Sequence, residues 1–407
     1  MKSDGFSQKR DFILELGKAL HQFGTPAFRL EAHLNNVTKF LGLDGYFLLS
    51  PTSMTFSLWE HAETEQQNYN IRVHPGELDL GRLAEADELV EELVSGSKTL
   101  DEALTSLRQL TRKPAPYSQQ LTMLAFGVSA GAFAMLMRAS WIDIMFSTLA
   151  GLMVYCLIVL VERKGLNSEI LEPLSSIMAA LFAAAVSVFY PEIYSPIVIL
   201  SSIIVFIPGL AITMGLKDLA ARHLTSGTAR VMDGIMCLFK LYFGTTLGMA
   251  LGAQIFGSVE HVNAPAVPEW TLWLAVPTLS MTLVVIFKSR LKDAPWGVLS
   301  AIVAFVGSLL GTVYLGDSLG LFVGAVMTGM YSNIYSRITN APSSVVLLHG
   351  VVLLVPGSKA YITLNEVISG ESMMALSDLG PQTFLIFMSI TAGLIFANSL
   401  IPSRKTL

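Results

Sequence analysis

Ser201-Ser-Ile-Ile-Val-Phe-Ile-Pro208-Gly209 and Val351-Val-Leu-Leu-Val-Pro356-Gly357 place the same dipeptide near the end of two long apolar runs, with the prolines 148 positions apart (208 and 356). Proline inside a helix removes a backbone donor and collides with the carbonyl four residues earlier, here those of Ile204 and Val352. The glycine beside it lets the chain leave helical geometry at little steric cost. In lipid the freed polar groups need protein, water or ligand as partners. Two such interruptions at corresponding positions of two halves point to the binding site of a secondary transporter.

Composition fits a membrane setting. Of 407 residues, 52% are hydrophobic and 14% charged, against roughly a quarter charged in soluble domains. Charges are frequent over 1–118, whereas 119–402 is a chain of apolar runs separated by short polar loops. The net charge of −5 comes largely from residues 77–102, so nucleic-acid binding has no electrostatic support. Cys156 and Cys237 both lie in apolar runs. They give neither a disulfide framework nor metal-ligand spacing, and no metal or cofactor is expected. The first residues hold no apolar signal-peptide core, so the soluble part is expected to stay on the side where it is made.

A span needs roughly 17–25 mostly apolar residues. Ten stretches qualify: 119–137, 141–161, 174–190, 194–215, 232–257, 270–287, 296–315, 319–336, 343–363 and 381–401. Their loops sort by charge. Arg112, Lys113, Arg163, Lys164, Lys217, Arg222, Arg230, Lys288, Arg290, Lys292, Arg337, Arg404 and Lys405 fall on one side, and only Arg138 and Lys359 on the other. The positive-inside rule then makes both termini cytoplasmic. Shifting the first five stretches by 148 positions lands close to the last five. Five is odd, so the second set must enter the membrane from the opposite side. The expected fold is an α-helical polytopic membrane protein of ten transmembrane helices in two five-helix inverted repeats (119–263 and 264–407). A small α+β cytoplasmic domain (1–118) precedes them.

Within that domain, Phe12, Ile13, Leu16 and Leu20 mark a helix over 8–21, and Leu30, Leu34, Val37 and Leu41 a second after Gly24-Thr25-Pro26. Residues 46–50, 54–59 and 69–74 are strand-like; helices follow at 79–95 and 99–111, the last opened by a Thr99/Glu102 capping box. His21, His33, His61, His74, Glu31 and Asp44 match no metal-binding helix motif, and no nucleophile or phosphate-loop motif is present. A regulatory or scaffolding role is expected. Arg29 and Glu31, after the Gly-Thr-Pro turn, can be buried and paired; the alternative is a membrane-anchored enzyme whose pocket joins Glu31 to a histidine such as His33 or His74.

Gly24-Thr-Pro-Ala-Phe-Arg-Leu-Glu31, Leu41-Gly-Leu43, Pro51-Thr-Ser53, Leu78-Asp-Leu-Gly-Arg-Leu83 and Gly96-Ser-Lys-Thr-Leu-Asp-Glu-Ala103 together resemble the amino-terminal domain of the threonine/serine exporter family. The five-plus-five spans with Pro-Gly in each half are similar to that family's membrane part. The resemblance implies a proton-coupled exporter of threonine and serine in the cytoplasmic (inner) membrane. Some relatives split the halves into two chains and export dicarboxylates such as succinate. The implied partners are a small amino acid or carboxylate, protons and the lipid bilayer, and a homo-oligomer is compatible with the sequence.

The candidate substrate residues are Pro208, Gly209, Thr213, Pro356, Gly357, Ser358 and Lys359. A helix restarting after each break offers free N–H groups to a carboxylate, as a helix N-terminus does generally. Lys359, inside an apolar run, either attracts that carboxylate or snorkels outward. The candidates for proton or charge coupling are His349, Asp143, Asp233 and Lys240. His349 can relay protons or simply bond a backbone carbonyl. Asp143 can pair with Arg138 at the surface. Asp233, Lys240, Gly244, Gly248 and Gly252 share one helix stripe, with Lys240 free to pair with Asp233 or to snorkel. Gly127/Gly131, Gly307/Gly311 and Gly320/Gly324 read as packing positions, and Asn333 and Asn398 as partners across helices.

Overall fold

The computed structural model describes residues 2–60, 65–74, 76–257, 261–362 and 373–405. His61 lies outside the described residues. The N-terminal unit packs helix α1 (Lys2–Gln22) on a three-stranded antiparallel sheet of β1 (Asp44–Leu49), β2 (Ser53–Trp59) and β3 (Gln67–Arg72), in that order. Strand alternation sends Phe47, Leu49, Met54, Phe56 and Leu58 to one face, where Phe12, Ile13, Leu16 and Leu20 of α1 complete the core. Helices α2 (Ala27–Phe40), α3 (Leu80–Val94) and α4 (Leu100–Arg112) close the unit. The Thr99/Glu102 capping box forms as expected, with Glu102 Oε2 accepting from the Thr99 amide at 2.8 Å.

The rest of the described chain is helical: α5 (Gln119–Leu136), α6 (Trp141–Arg163), α7 (Leu171–Ser187), α8 (Ser195–Ser202), α9 (Gly209–Ala220), α10 (Leu224–Phe256), α11 (Thr271–Ile286), α12 (Ala294–Thr339), α13 (Ser344–Leu354) and α14 (Met373–Leu400). Among the described residues, six helices are long and apolar enough to cross a membrane, or seven when the bent pair around residue 203 counts as one span. Helices α11 and α13 are apolar but shorter.

Small residues decide how these helices meet. Helix α12 is broken at Gly316 (φ 78°, ψ 174°), in the left-handed region that a side chain resists. Its two limbs fold back on each other. A methyl on Gly307 would lie 2.9 Å from the Gly324 Cα, and one on Gly311 would lie 2.8 Å from the Gly320 Cα. The glycines of α10 do the same work against α7: a methyl on Gly248 would stand 2.8 Å from the Ile177 carbonyl oxygen, and one on Gly244 would collide with Ser176. The second limb of α12 meets α14 in matching fashion, Gly393 against Ala325 and Gly329 against Ala397. Asn333 reaches across the same contact to Asn398 Oδ1 at 2.9 Å.

The N-terminal unit sits on the end of the helical bundle that carries the basic loops, and its acidic helix α3 faces them. Lys288 pairs with Glu77 (2.8 Å), Arg290 and Lys292 with Glu88 (2.8 and 3.0 Å), and Lys405 with Asp87 and Glu91. The first amides of α3 cap the end of α11, Leu80 N to Phe287 O at 3.0 Å and Gly81 N to Lys288 O at 3.1 Å. This complementarity gives the run of acidic residues at 77–102 a structural purpose.

Candidate functional site

In both broken helices, proline opens a helix instead of interrupting one. Helix α8 gives way to a 3-10 turn at Ile204–Phe206; Ile207 is then extended (φ −65°, ψ 119°), and the Pro208 carbonyl accepts from Ile212 N at 2.9 Å to start α9. Helix α13 ends the same way: Val355 is extended (φ −68°, ψ 128°), and the Pro356 carbonyl accepts from Ala360 N at 2.8 Å. The residue before proline is driven out of the helical region. The clash with Ile204 and Val352 expected of an interior proline is thereby avoided, at the cost of a 54° bend in the first pair.

The two breaks touch. A methyl built on Gly209 would lie 2.9 Å from the Gly357 Cα and 2.5 Å from Val355 Cγ1; one on Gly357 would lie 3.3 Å from the Gly209 Cα and 2.8 Å from Ile207 Cγ2. Two helix starts therefore converge on a backbone-to-backbone contact. The first amides of each new helix have no partner within it and carry the positive end of its dipole. Tyr361, in the helix that restarts at Gly357, donates to Thr245 Oγ1 on α10 at 2.6 Å, which ties the second break to the first half of the chain.

The remaining candidates distribute unevenly around this contact. Thr213 is fully buried one turn into α9, with its hydroxyl donating to Gly209 O at 2.9 Å. Ser358 is half-buried and Lys359 exposed, so Lys359 points away from the crossing. His349 is buried on α13 toward the basic end; its ring contacts Val345 O (3.1 Å) and Ser289 Oγ (3.4 Å) and stacks edge-on with Phe287. Asp143 belongs to a second cluster. It caps α6 through Ser140 Oγ (2.7 Å) and accepts from Tyr194 N (2.7 Å), fastening α6 to the start of α8. The surface pairing of Asp143 with Arg138 is not formed, because Arg138 pairs with Glu269 at 3.0 Å. Asp233 is exposed. Lys240 lies 3.7 Å from Glu172 instead of pairing with Asp233, since its stripe faces α7, where Glu172 stands.

Below the crossing, α9 runs into the start of α2. Phe28 N donates to Asp218 Oδ1 (3.4 Å), Arg29 Nη1 donates to Ser343 Oγ at the foot of α13 (3.0 Å), and His223 Nδ1 meets Glu31 (3.4 Å). Glu31 thus pairs with α9's trailing loop instead of with His33 or His74, and His74 is exposed. Sequence reasoning missed this seam. It joins residues 190 and 314 positions apart, and the one linear signal was the Gly24-Thr-Pro-Ala-Phe-Arg stretch itself.

A latch holds the same seam at the far end of the chain. Burial pushes the Asp87 carboxyl up to about 6, against the pull of Lys405. Its folded-state pKa lies above the ordinary 3.8, so the fold binds this proton more tightly than the unfolded chain does. That contribution is full below the ordinary value and is lost as pH rises through about 6, where the Lys405 ammonium offsets it. Lys405→Met is therefore expected to lower the thermal stability of the full chain by roughly 2–3 kcal/mol at pH 8, and by much less at pH 5. Equal losses at both pH values in a thermal melt would sink this account.

Residues 11–252 match a threonine/serine exporter family model, and residues 271–400 match a second, described as "Threonine/Serine exporter, ThrE". Curated relatives include "Pheromone-regulated membrane protein 10" of Debaryomyces hansenii, 25% identical over 86% of this chain and 36% of that protein. The protein of the same name from Eremothecium gossypii is 25% identical over 97% of this chain and 56% of its own length; the Candida albicans one is 24% identical over 89% and 34%. The chain thus spans between about a third and a little over half of the length of these relatives. No solved structure matches.

Proposed function

Because this chain belongs to the threonine/serine exporter family, we propose that it exports threonine and serine across the cytoplasmic membrane in exchange for protons. As a member of that family it is a membrane transporter and not an enzyme. The observation that carries the rest of the reading is the contact between Gly209 and Gly357. Two helix starts from two halves meet there, which suits a carboxylate held by backbone amides.

In this reading ten spans form two inverted repeats over 119–263 and 264–407, with 1–118 as a cytoplasmic domain. The back-folded limbs of α12 support the count, since each limb is of span length. Matching small-residue contacts, α7 with α10 and the second limb of α12 with α14, support the repeat. The basic loops against the acidic face of α3 support cytoplasmic termini. Pro208, Gly209, Thr213, Pro356, Gly357 and Ser358 shape the substrate site, and Lys359 draws carboxylates at the opposite surface. His349, buried between the crossing and the basic end, is the proposed proton carrier. Asp143, Asp233 and Lys240 are further charge partners, nearer the two surfaces.

The test is uptake of threonine into inverted membrane vesicles carrying the full chain. We expect saturable uptake that falls at least about tenfold when the pH gradient is collapsed. Uptake indifferent to the gradient removes proton exchange. Transport of succinate with none of threonine moves the protein to dicarboxylate export.

A further inference from the structure

Two buried cations line the seam between the N-terminal unit and α9. Lys217 stands two turns beyond Gly209 on the way to the basic end, about 12 Å along the helix. It is 5% exposed, and its Nζ lies 5.1 Å from the centre of the Phe28 ring. Arg29 is 6% exposed; its guanidinium donates to Ser343 Oγ and lies 5.9 Å from the centre of the same ring. Among the described residues neither cation has a carboxylate within 4.0 Å. Asp218, next in sequence to Lys217, faces Phe28 N (3.4 Å), Ser226 Oγ (3.4 Å) and Arg230 (3.8 Å).

The other cations of the seam are matched differently. Lys288, Arg290, Lys292 and Lys405 each face a glutamate or aspartate. Burial with no carboxylate in contact is costly, and an aromatic face, with Asp218 acting on Lys217 from beyond contact distance, compensates only part of that cost. For Arg29, burial alone draws the guanidinium down to about 10. Two hydroxyls at the same junction, Thr25 Oγ1 before α2 and Ser344 Oγ at the foot of α13, are buried with no hydrogen-bond partner among the described residues.

We infer that Arg29 and Lys217 together form a carboxylate-binding station, half of it supplied by the N-terminal unit, through which the transported acid passes between the basic end and the Pro-Gly crossing. This rests on the transport reading above. The station gives the N-terminal unit a direct part in handling substrate, since Arg29 and Phe28 belong to α2. A guanidinium and an ammonium that both lie against the Phe28 ring select the carboxylate group, the feature that threonine, serine and succinate share.

The test measures initial rates of threonine and of succinate uptake into inverted vesicles for the wild type, Arg29→Gln, Lys217→Gln and Arg29→Lys. The station predicts that each glutamine variant raises KM about tenfold or more, the effect of one lost charge-assisted hydrogen bond. Vmax changes little, and Arg29→Lys recovers most of the loss. A rise for either acid supports the station, and the acid affected is the one it carries. Unchanged KM in both glutamine variants, with the wild type transporting, overturns the station and leaves the transport reading standing. Where wild-type vesicles take up neither acid, the transport reading falls, and melting of the purified full chain decides the station separately. Stabilisation by threonine or succinate that Arg29→Gln abolishes supports it; absence of stabilisation in the wild type overturns it.

Discussion

Gly209→Ala is expected to cut threonine uptake into inverted vesicles more than about tenfold, and Gly209→Leu to abolish it, with both proteins still reaching the membrane. The reason is local. The alanine methyl would stand 2.9 Å from the Cα of Gly357 and 3.2 Å from its amide nitrogen, so it meets backbone, which cannot rotate aside. The helices can accommodate it only by parting the two breaks, which moves both sets of N-terminal amides away from each other. Gly357→Ala meets mainly the Ile207 side chain, at 2.8 Å, and is expected to be milder. Gly380→Ala, which meets nothing within 4 Å on α14, serves as the control. Wild-type uptake by Gly209→Ala would show that the crossing does not have to stay closed for transport, and the site would have to be sought elsewhere.

The crossing was half legible in the sequence. Pro-Gly at matching positions of two apolar runs declared two breaks, because proline and glycine have fixed backbone consequences wherever they occur. Away from the breaks, α5 and α6 start at the expected positions 119 and 141, whereas α10 starts at Leu224 and not at the expected 232. The contact between the breaks was not legible, because nothing local in 201–209 specifies a partner in 351–357. The charge candidates fared less evenly for a related reason. A lone aspartate such as Asp143 is read from the chain as a charge, yet its environment is a capping box plus the amide of Tyr194, which only the folded chain assembles. Lys359, in an apolar run, leaves two readings open, attracting a carboxylate or snorkelling outward, because one residue's rotation around a helix decides exposure; it is exposed. The seam at Arg29 and Lys217 was the least legible element. The sequence allows Arg29 to be buried and paired with Glu31; it is buried, but Glu31 meets His223, and Arg29 and Lys217 instead share the Phe28 ring.

The second large effect is expected at Gly311. Helix α12 counts 46 residues, and as one straight rod it would reach about 70 Å, more than twice the roughly 30 Å of a bilayer core. The break at Gly316 and the close contact of Gly307 and Gly311 with Gly324 and Gly320 resolve this by turning the rod into a hairpin of two limbs. A side chain at Gly311 would collide with the Gly320 carbonyl oxygen, and Gly320 in turn would meet the Thr312 amide at 2.5 Å, so no small shift of one residue clears the way. Gly311→Val is therefore expected to destabilise the chain by about 3–5 kcal/mol, seen as a large loss of protein from the membrane and a lowered melting temperature in detergent. Gly316→Ala acts by another route: it places a Cβ at φ 78° with open space around it, so it strains the turn without any collision. About 1–2 kcal/mol is expected there, less than at Gly311. A Gly311→Val protein that accumulates and melts like the wild type would mean that the limbs do not lie together. The proposed count of ten spans, and with it the proposed five-plus-five inversion, would then lose its support.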